Sequence, residues 1–208
     1  MGNSNHIIIC VGRQLGSGGH DIARMLALDF GATYYDRELL NLAAKESGFS
    51  ERYFEQNDEQ RGLFRSFFHL HASPIPDNNM YQSKFSQEAL FRFQSEAIEK
   101  AADAGSCVFV GRCADYILRN RDNVVNIFIS ASKRFRIEQI MVKEHVDFPA
   151  ARKILQQRES RRAAYYNYYT GKKWGSAESY DLCIDASILG IQATEQLIAN
   201  FIRSRFDL

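Results

Sequence analysis

Apolar and polar residues alternate along this chain in two rhythms. Three short runs are almost wholly apolar and rich in β-branched or aromatic residues: Ile7 to Val11, Cys107 to Val110 and Val124 to Ile129. Near-continuous apolarity over so short a length predicts strands buried on both faces. Elsewhere the period lengthens to that of a helix. Ile22, Met25, Leu26 and Ala27 share one face, Leu39, Leu40, Leu42 and Ala43 are apolar, and a longer series runs from Phe85 through Leu90, Phe93 and Ile98 to Ala101. These patterns predict a helix after the first strand, one over 36–47 capped by Asp36, and one over 84–104. Gly31 to Asp36 reads as a short strand-like step, and Ser50 with Tyr53 and Phe54 opens a further helix. Residues 132–145 and 147–168 read as helices rich in Arg and Lys, Tyr180 to Ile184 as a late strand, and 192–205 as a closing helix. The aromatic-rich stretch 61–82, broken at Ser73-Pro74-Ile75-Pro76-Asp77, reads as a mobile loop or small insert.

Strands alternating with helices predict an α/β fold, a parallel β-sheet flanked by helices on both faces. The reading is a single domain over 1–208, with a helical insert at about 37–104 and an arginine-rich lid at about 147–175. Ligands of such folds bind beyond the carboxyl ends of the strands. Three segments fall there: the turn after the first strand, Tyr35-Asp36, and Gly111-Arg112.

Composition narrows the class. The chain has 208 residues, 45% hydrophobic and 25% charged, with a formal net charge of +1. That balance gives no bulk electrostatic case for binding nucleic acid or an anionic membrane. No apolar run has the length of a membrane span. The opening segment lacks the basic start and long apolar core of a secretion signal. Cys10, Cys107, Cys113 and Cys183 show no C-x-x-C spacing. Cys10, Cys107 and Cys183 lie in or beside apolar runs and read as buried, reduced thiols of a cytoplasmic protein.

The turn after the first strand carries the chemistry. Gly12, Gly16, Gly18 and Gly19 fall within eight residues. Glycines let a backbone wrap an anion with its N–H groups, and the following helix adds its positive dipole end. Strand, glycine turn, helix is the arrangement of a phosphate-binding loop; the alternative is a tight connection that binds nothing. Gly12, Arg13, Gly16, Ser17, Gly18, Gly19 and His20 are the candidate nucleotide-binding residues. The loop departs from the usual G-x-x-x-x-G-K-[ST] signature, because Gly18 is followed by Gly19, His20 and Asp21.

A second cluster lies near the chain's last third. Arg158, Arg161 and Arg162 sit among further cations between Arg152 and Lys173. Arginine forks suit phosphate oxygens, and phosphoryl transfer asks mainly for positioning and charge neutralisation. These three arginines read as not all sharing one helix face, which leaves a solvated charge run as the alternative. Tyr165, Tyr166, Tyr168, Tyr169 and Trp174 read as lid packing or a homodimer contact in preference to base stacking.

Together these segments resemble the cytidylate kinase-like family, a branch of the P-loop nucleoside monophosphate kinases. The carriers are GRQLGSGGHDIARMLA at 12–27, YYDRELL at 34–40, VFVGR at 108–112, IFISASKRFRIEQI at 127–140, RESRRAAYYNYYTGKKWG at 158–175 and YDLCIDAS at 180–187. The resemblance covers nearly the whole chain. It implies transfer of the γ-phosphoryl group of ATP, bound with Mg2+, onto CMP, dCMP or a related small acceptor. The glycine loop would hold the donor phosphates. Tyr35, Asp36, Arg112, Glu159 and Arg162 would bind the acceptor, and Arg112, Arg158 and Arg162 would act on the transferring phosphate. Cys113 stands where the family's Gly-Arg-Asp step has its acid, with Asp115 two residues beyond. Gly19 stands at the lysine position, and Arg13, Arg158 and Arg162 are the candidates to replace that charge. The competing expectation is a nucleotide-binding regulatory or interaction protein with little turnover.

Overall fold

The computed structural model describes residues 6–36 and 80–208. The chain divides into two compact units, one of Met1–Arg37 with Glu99–Leu208 and one of Glu38–Ile98. Five strands form one sheet in the first unit: β1 (Ile8–Arg13), β2 (Thr33–Tyr35), β3 (Cys107–Val110), β4 (Val124–Ser130) and β5 (Leu182–Asp185). Their order is β2-β3-β1-β4-β5, and every pairing is parallel. Six α-helices occur among the described residues: α1 (Gly19–Asp29), α2 (Met80–Ala104), α3 (Ala114–Ile117), α4 (Lys133–Glu144), α5 (Phe148–Thr170) and α6 (Ala186–Phe206).

β1 is central because its side chains are buried on both faces, as its apolar run requires. Ile9 and Val11, with Val108, Val110, Val125, Ile127 and Ile129, pack against Ile22 and Leu26 of α1 and Ile198 and Ile202 of α6. The chain leaves β1 toward β2 at one edge and leaves β3 toward β4 on the far side of β1. Such a reversal opens a crevice beyond the carboxyl ends of the neighbouring strands. Helices α4 and α5 pack on each other through Ile137, Ile140, Ala151 and Leu155, and Leu15 of the glycine loop joins that cluster. The loop is thereby seated on the α4–α5 pair as well as on the sheet.

Most element boundaries agree with the apolar pattern to within a few residues. The long helix begins at Met80, inside the stretch read as loop, because no glycine or proline interrupts the chain from Asp77 to Ala104. The closing helix starts early, at Ala186, and is kinked at Gly190, whose φ is 77°. The helix expected after Asp36, the one opening at Ser50 and the proline-broken stretch up to residue 79 lie outside the described residues. One cysteine reading is corrected. Cys183 is exposed, because β5 is an edge strand with a face left uncovered; Cys10, Cys107 and Cys113 are buried.

Candidate active site

The glycine loop leaves β1 and is braced by its own polar groups. Gln14 N donates to Ile129 O at 3.0 Å, and Gln14 Oε1 accepts from Ala131 N at 3.2 Å. The Ser17 side chain is buried, and its hydroxyl donates to Gln14 O at 2.9 Å. Gly16 has φ 76°, and a Cβ there would come within 2.6 Å of the Arg136 carbonyl oxygen. Only glycine satisfies both the left-handed backbone and the close approach. Gly18, with φ 77°, caps α1, and Gly19 N donates to Ser17 Oγ at 3.4 Å.

The second segment is the turn after β3. Gly111, Arg112 and Cys113 take φ of 74°, 58° and 57° in succession. A left-handed non-glycine residue costs about 1–3 kcal/mol, and such strain concentrates at functional sites. The turn lets Cys113 cap α3 and brings Asp115 to the pocket wall, although that acid stands two residues beyond the position where the motif carries one.

The third segment is α5. It is started by Asp147, which accepts from Ala150 N at 3.0 Å, and stopped by Gly171 at φ 67°. Arg158, Arg161, Arg162, Tyr165 and Tyr166 all line one pocket with Arg13, Gly111 and Arg112. The spacing is i, i+3, i+4, i+7 and i+8, which is one helix face. This overturns the expectation that the three arginines do not share a face. The periodicity that reveals the face is in the sequence, and it also marks Arg161, Tyr165 and Tyr166.

The pocket measures about 440 Å3 and lies within the first unit. Its rim is cationic. Arg162 Nη1 donates to the Arg13 carbonyl at 3.3 Å, and the Arg112 guanidinium lies 5.0 Å from the Tyr165 ring centre. Arg158 is gripped by both carboxylate oxygens of Glu144, at 2.7 and 3.4 Å. Burial, then Arg162 and Arg112, push the Arg13 guanidinium below its ordinary range. Burial likewise lowers Arg162, against the pull of Glu159. The floor is aromatic and acidic. Tyr166 donates to Asp115 Oδ2 at 2.6 Å, and burial raises the Asp115 carboxyl. Trp174 and Tyr180 pack on Phe128 with ring centres 5.5 and 4.9 Å apart. Tyr166 and Trp174 thus tie α5 and the segment after it to the core.

The remaining expected residues, Gly16 to His20, Tyr35, Asp36 and Glu159, do not line this pocket. Glu159 faces the loop, accepting from Leu15 N at 3.2 Å and pairing with Arg136 Nη1 at 2.7 Å. His20 Nε2 lies 3.5 Å from Asp36 Oδ2, across the mouth between α1 and β2. Tyr35 stacks on Phe109 with ring centres 5.3 Å apart. Cys10 and Asp115 are lining residues that no motif marks; they reach the pocket through strand register and the strained turn. Among the described residues no group of three metal-ligating side chains occurs, and no helix is long and apolar enough to cross a membrane.

A five-stranded parallel sheet, a glycine loop capping its first helix and an arginine-lined pocket at the strand ends define a kinase-like, nucleotide-binding P-loop fold. The chain belongs to the cytidylate kinase-like family, whose sequence model matches residues 8–188. It is 24% identical over 189 residues to a cytidylate kinase of Methanopyrus kandleri, covering 87% of this chain and 85% of that one. It is 26% identical over 197 residues to a cytidylate kinase of Pyrobaculum islandicum, covering 94% and 92%. A crystal structure of an uncharacterized protein from Eubacterium ventriosum superposes with a TM-score of 0.74 at 27% identity, over 96% of this chain and 99% of that one. A shikimate kinase from Bacteroides thetaiotaomicron shares the fold, with a TM-score of 0.51 at 10% identity over 97% and 99%.

Proposed function

We propose that this protein transfers the γ-phosphoryl group of ATP to CMP, dCMP or a related small acceptor. The observation that carries the reading is the pocket itself: five arginines, three of them on one face of α5, surround a cavity at the ends of β1 and β3. Phosphoryl transfer is dominated by positioning and by neutralising charge on the equatorial oxygens. Arg13, Arg112 and Arg162 supply fixed positive charge where the loop and the β3 turn meet. Loop N–H groups and the start of α1 hold the donor phosphates. Residues 37–104 serve as the acceptor-side insert and 147–175 as the lid that excludes water. The acceptor ring fits the side lined by Asp115, Tyr166 and Trp174, with the buried carboxyl as a hydrogen-bonding partner.

Mg2+ enters with the nucleotide in this reading. Ser17 turns its hydroxyl into the loop and His20 stands at the usual hydroxyl position, so the phosphates hold the ion, as Mg2+ sites of this kind commonly allow. The Gly19 substitution favours a second reading, a nucleotide-binding regulatory protein with little turnover. Incubation with Mg-ATP and a panel of nucleoside monophosphates separates the two. The kinase reading expects a nucleoside diphosphate product from CMP or dCMP. A folded protein that binds ATP and phosphorylates no acceptor overturns it in favour of the second.

A further inference from the structure

Glycine at position 19 has a packing cause. A Cβ on Gly19 would lie 2.6 Å from Arg13 Cβ and 3.2 Å from Arg13 Cγ. The first methylenes of Arg13 therefore fill the space through which a side chain on residue 19 would leave the first turn of α1. From there the arginine reaches the end of β3. A Cβ on Gly111 would collide with Arg13 Nη1 and lie 3.5 Å from Arg13 Cζ. Two glycines on different elements thus keep clear the path of one arginine, from the phosphate loop to the turn that carries Arg112.

Three arginines compete for the role of the absent loop lysine, and their surroundings differ. The Arg158 guanidinium is clasped by Glu144 at 2.7 Å, and its side chain is 46% exposed. Arg162 comes from the lid helix and spends a donor on the Arg13 carbonyl. Arg13 alone starts at the position a residue-19 side chain would occupy, and its guanidinium lines the pocket beside both others. Its setting is costly for a cation. Burial and the charges of Arg162 and Arg112 act against it, and Tyr34 and Asp36 offset them with smaller effects. A cation held among cations out of water gains most when an anion arrives between them.

We infer that Arg13 replaces the phosphate-loop lysine, contacting the terminal phosphates of the bound nucleoside triphosphate from the strand side of the loop, and that Gly19 and Gly111 are glycines because they make room for it. The inference rests on the kinase reading for its nucleotide, and the test keeps the two apart by using inorganic tripolyphosphate beside ATP.

The test measures affinity for ATP and for tripolyphosphate by calorimetry in the wild type, Arg13→Met and the double variant Arg13→Gly with Gly19→Lys. Methionine keeps an unbranched stem against Gly19 and removes the charge. Arg13→Met is expected to weaken both ligands by about tenfold to a hundredfold, the worth of a hydrogen bond to a charged group. The double variant is expected to regain most of the loss, because glycine at position 13 removes the Cβ that would lie 2.6 Å from a Cβ on residue 19 and so frees the space the new lysine needs. Arg13→Met within about threefold of wild type for both ligands, below the worth of such a bond, overturns the inference and leaves the kinase reading to its own transfer assay. Loss of affinity in Arg13→Met alongside no transfer to any monophosphate supports the inference while overturning the kinase reading. Wild type that binds neither ligand overturns both.

Discussion

Glu159, in the middle of α5, accepts a hydrogen bond from the backbone N–H of Leu15 at 3.2 Å and pairs with Arg136 of α4 at 2.7 Å. One carboxylate therefore fixes α5, the glycine loop and α4 to one another. Arg136 has a side chain only 9% exposed, and its Nε donates to the Ala131 carbonyl at 2.9 Å.

Removing Glu159 leaves a buried guanidinium without its counter-charge. Glu159→Ala is expected to cost roughly 3 kcal/mol of stability, the scale for breaking such a pair from one side. Glu159→Gln retains an acceptor for Leu15 N–H and is expected to cost less. Urea unfolding of the three proteins checks the order. Equal midpoints would show that the carboxylate does not hold these elements together.

The loop itself tolerates no side chain at Gly16. Ala there adopts a left-handed backbone costing about 1–2 kcal/mol, and its Cβ meets the Arg136 carbonyl. Gly16→Ala is expected to lower the melting temperature by a few degrees, at roughly 2–4 °C per kcal/mol for a chain of this size, and to weaken ATP binding. Thermal unfolding with and without ATP measures both. Unchanged ATP affinity would separate the loop from nucleotide binding.

Asp115 gives the fold a pH signature. Burial raises its carboxyl above the ordinary 3.8, with the Tyr166 hydrogen bond offsetting only part. Between those two values the native state keeps a proton that the unfolded chain has lost. Stability is therefore full below the ordinary value and falls as pH rises through the raised one. Glu144, held below its ordinary range by Arg158, gives the opposite slope and is common to both proteins compared. Asp115→Asn, which keeps an acceptor for Tyr166, is expected to gain on the wild type as pH rises from about 4, then level off. A difference in stability independent of pH would refute the assignment.

Much of the fold is legible because burial on both faces leaves apolar runs too uniform to mistake. Ile7 to Val11 and Cys107 to Val110 mark neighbouring strands without any knowledge of their pairing. The arginine face of α5 is equally legible by period, since residues 158, 161, 162, 165 and 166 recur at helical spacing. Asp115 is not. Its place depends on three consecutive left-handed residues, and Arg112 and Cys113 do not announce that backbone. The Glu159–Arg136 pair is illegible for another reason: it joins two helices whose relative register is set by apolar packing elsewhere. Edge position, which exposes Cys183, follows from strand order, and strand order is not written in any one strand.

The most direct test of the central claim is single-turnover transfer from Mg-ATP to CMP, with both saturating, in wild type and Arg162→Ala. Arg162 lines the pocket and bonds the Arg13 carbonyl. If the pocket is where phosphoryl transfer occurs, the rate is expected to fall by about 10²–10³-fold, the scale for removing one transition-state donor, with unfolding behaviour close to wild type. An unchanged rate in a folded Arg162→Ala protein would contradict the account.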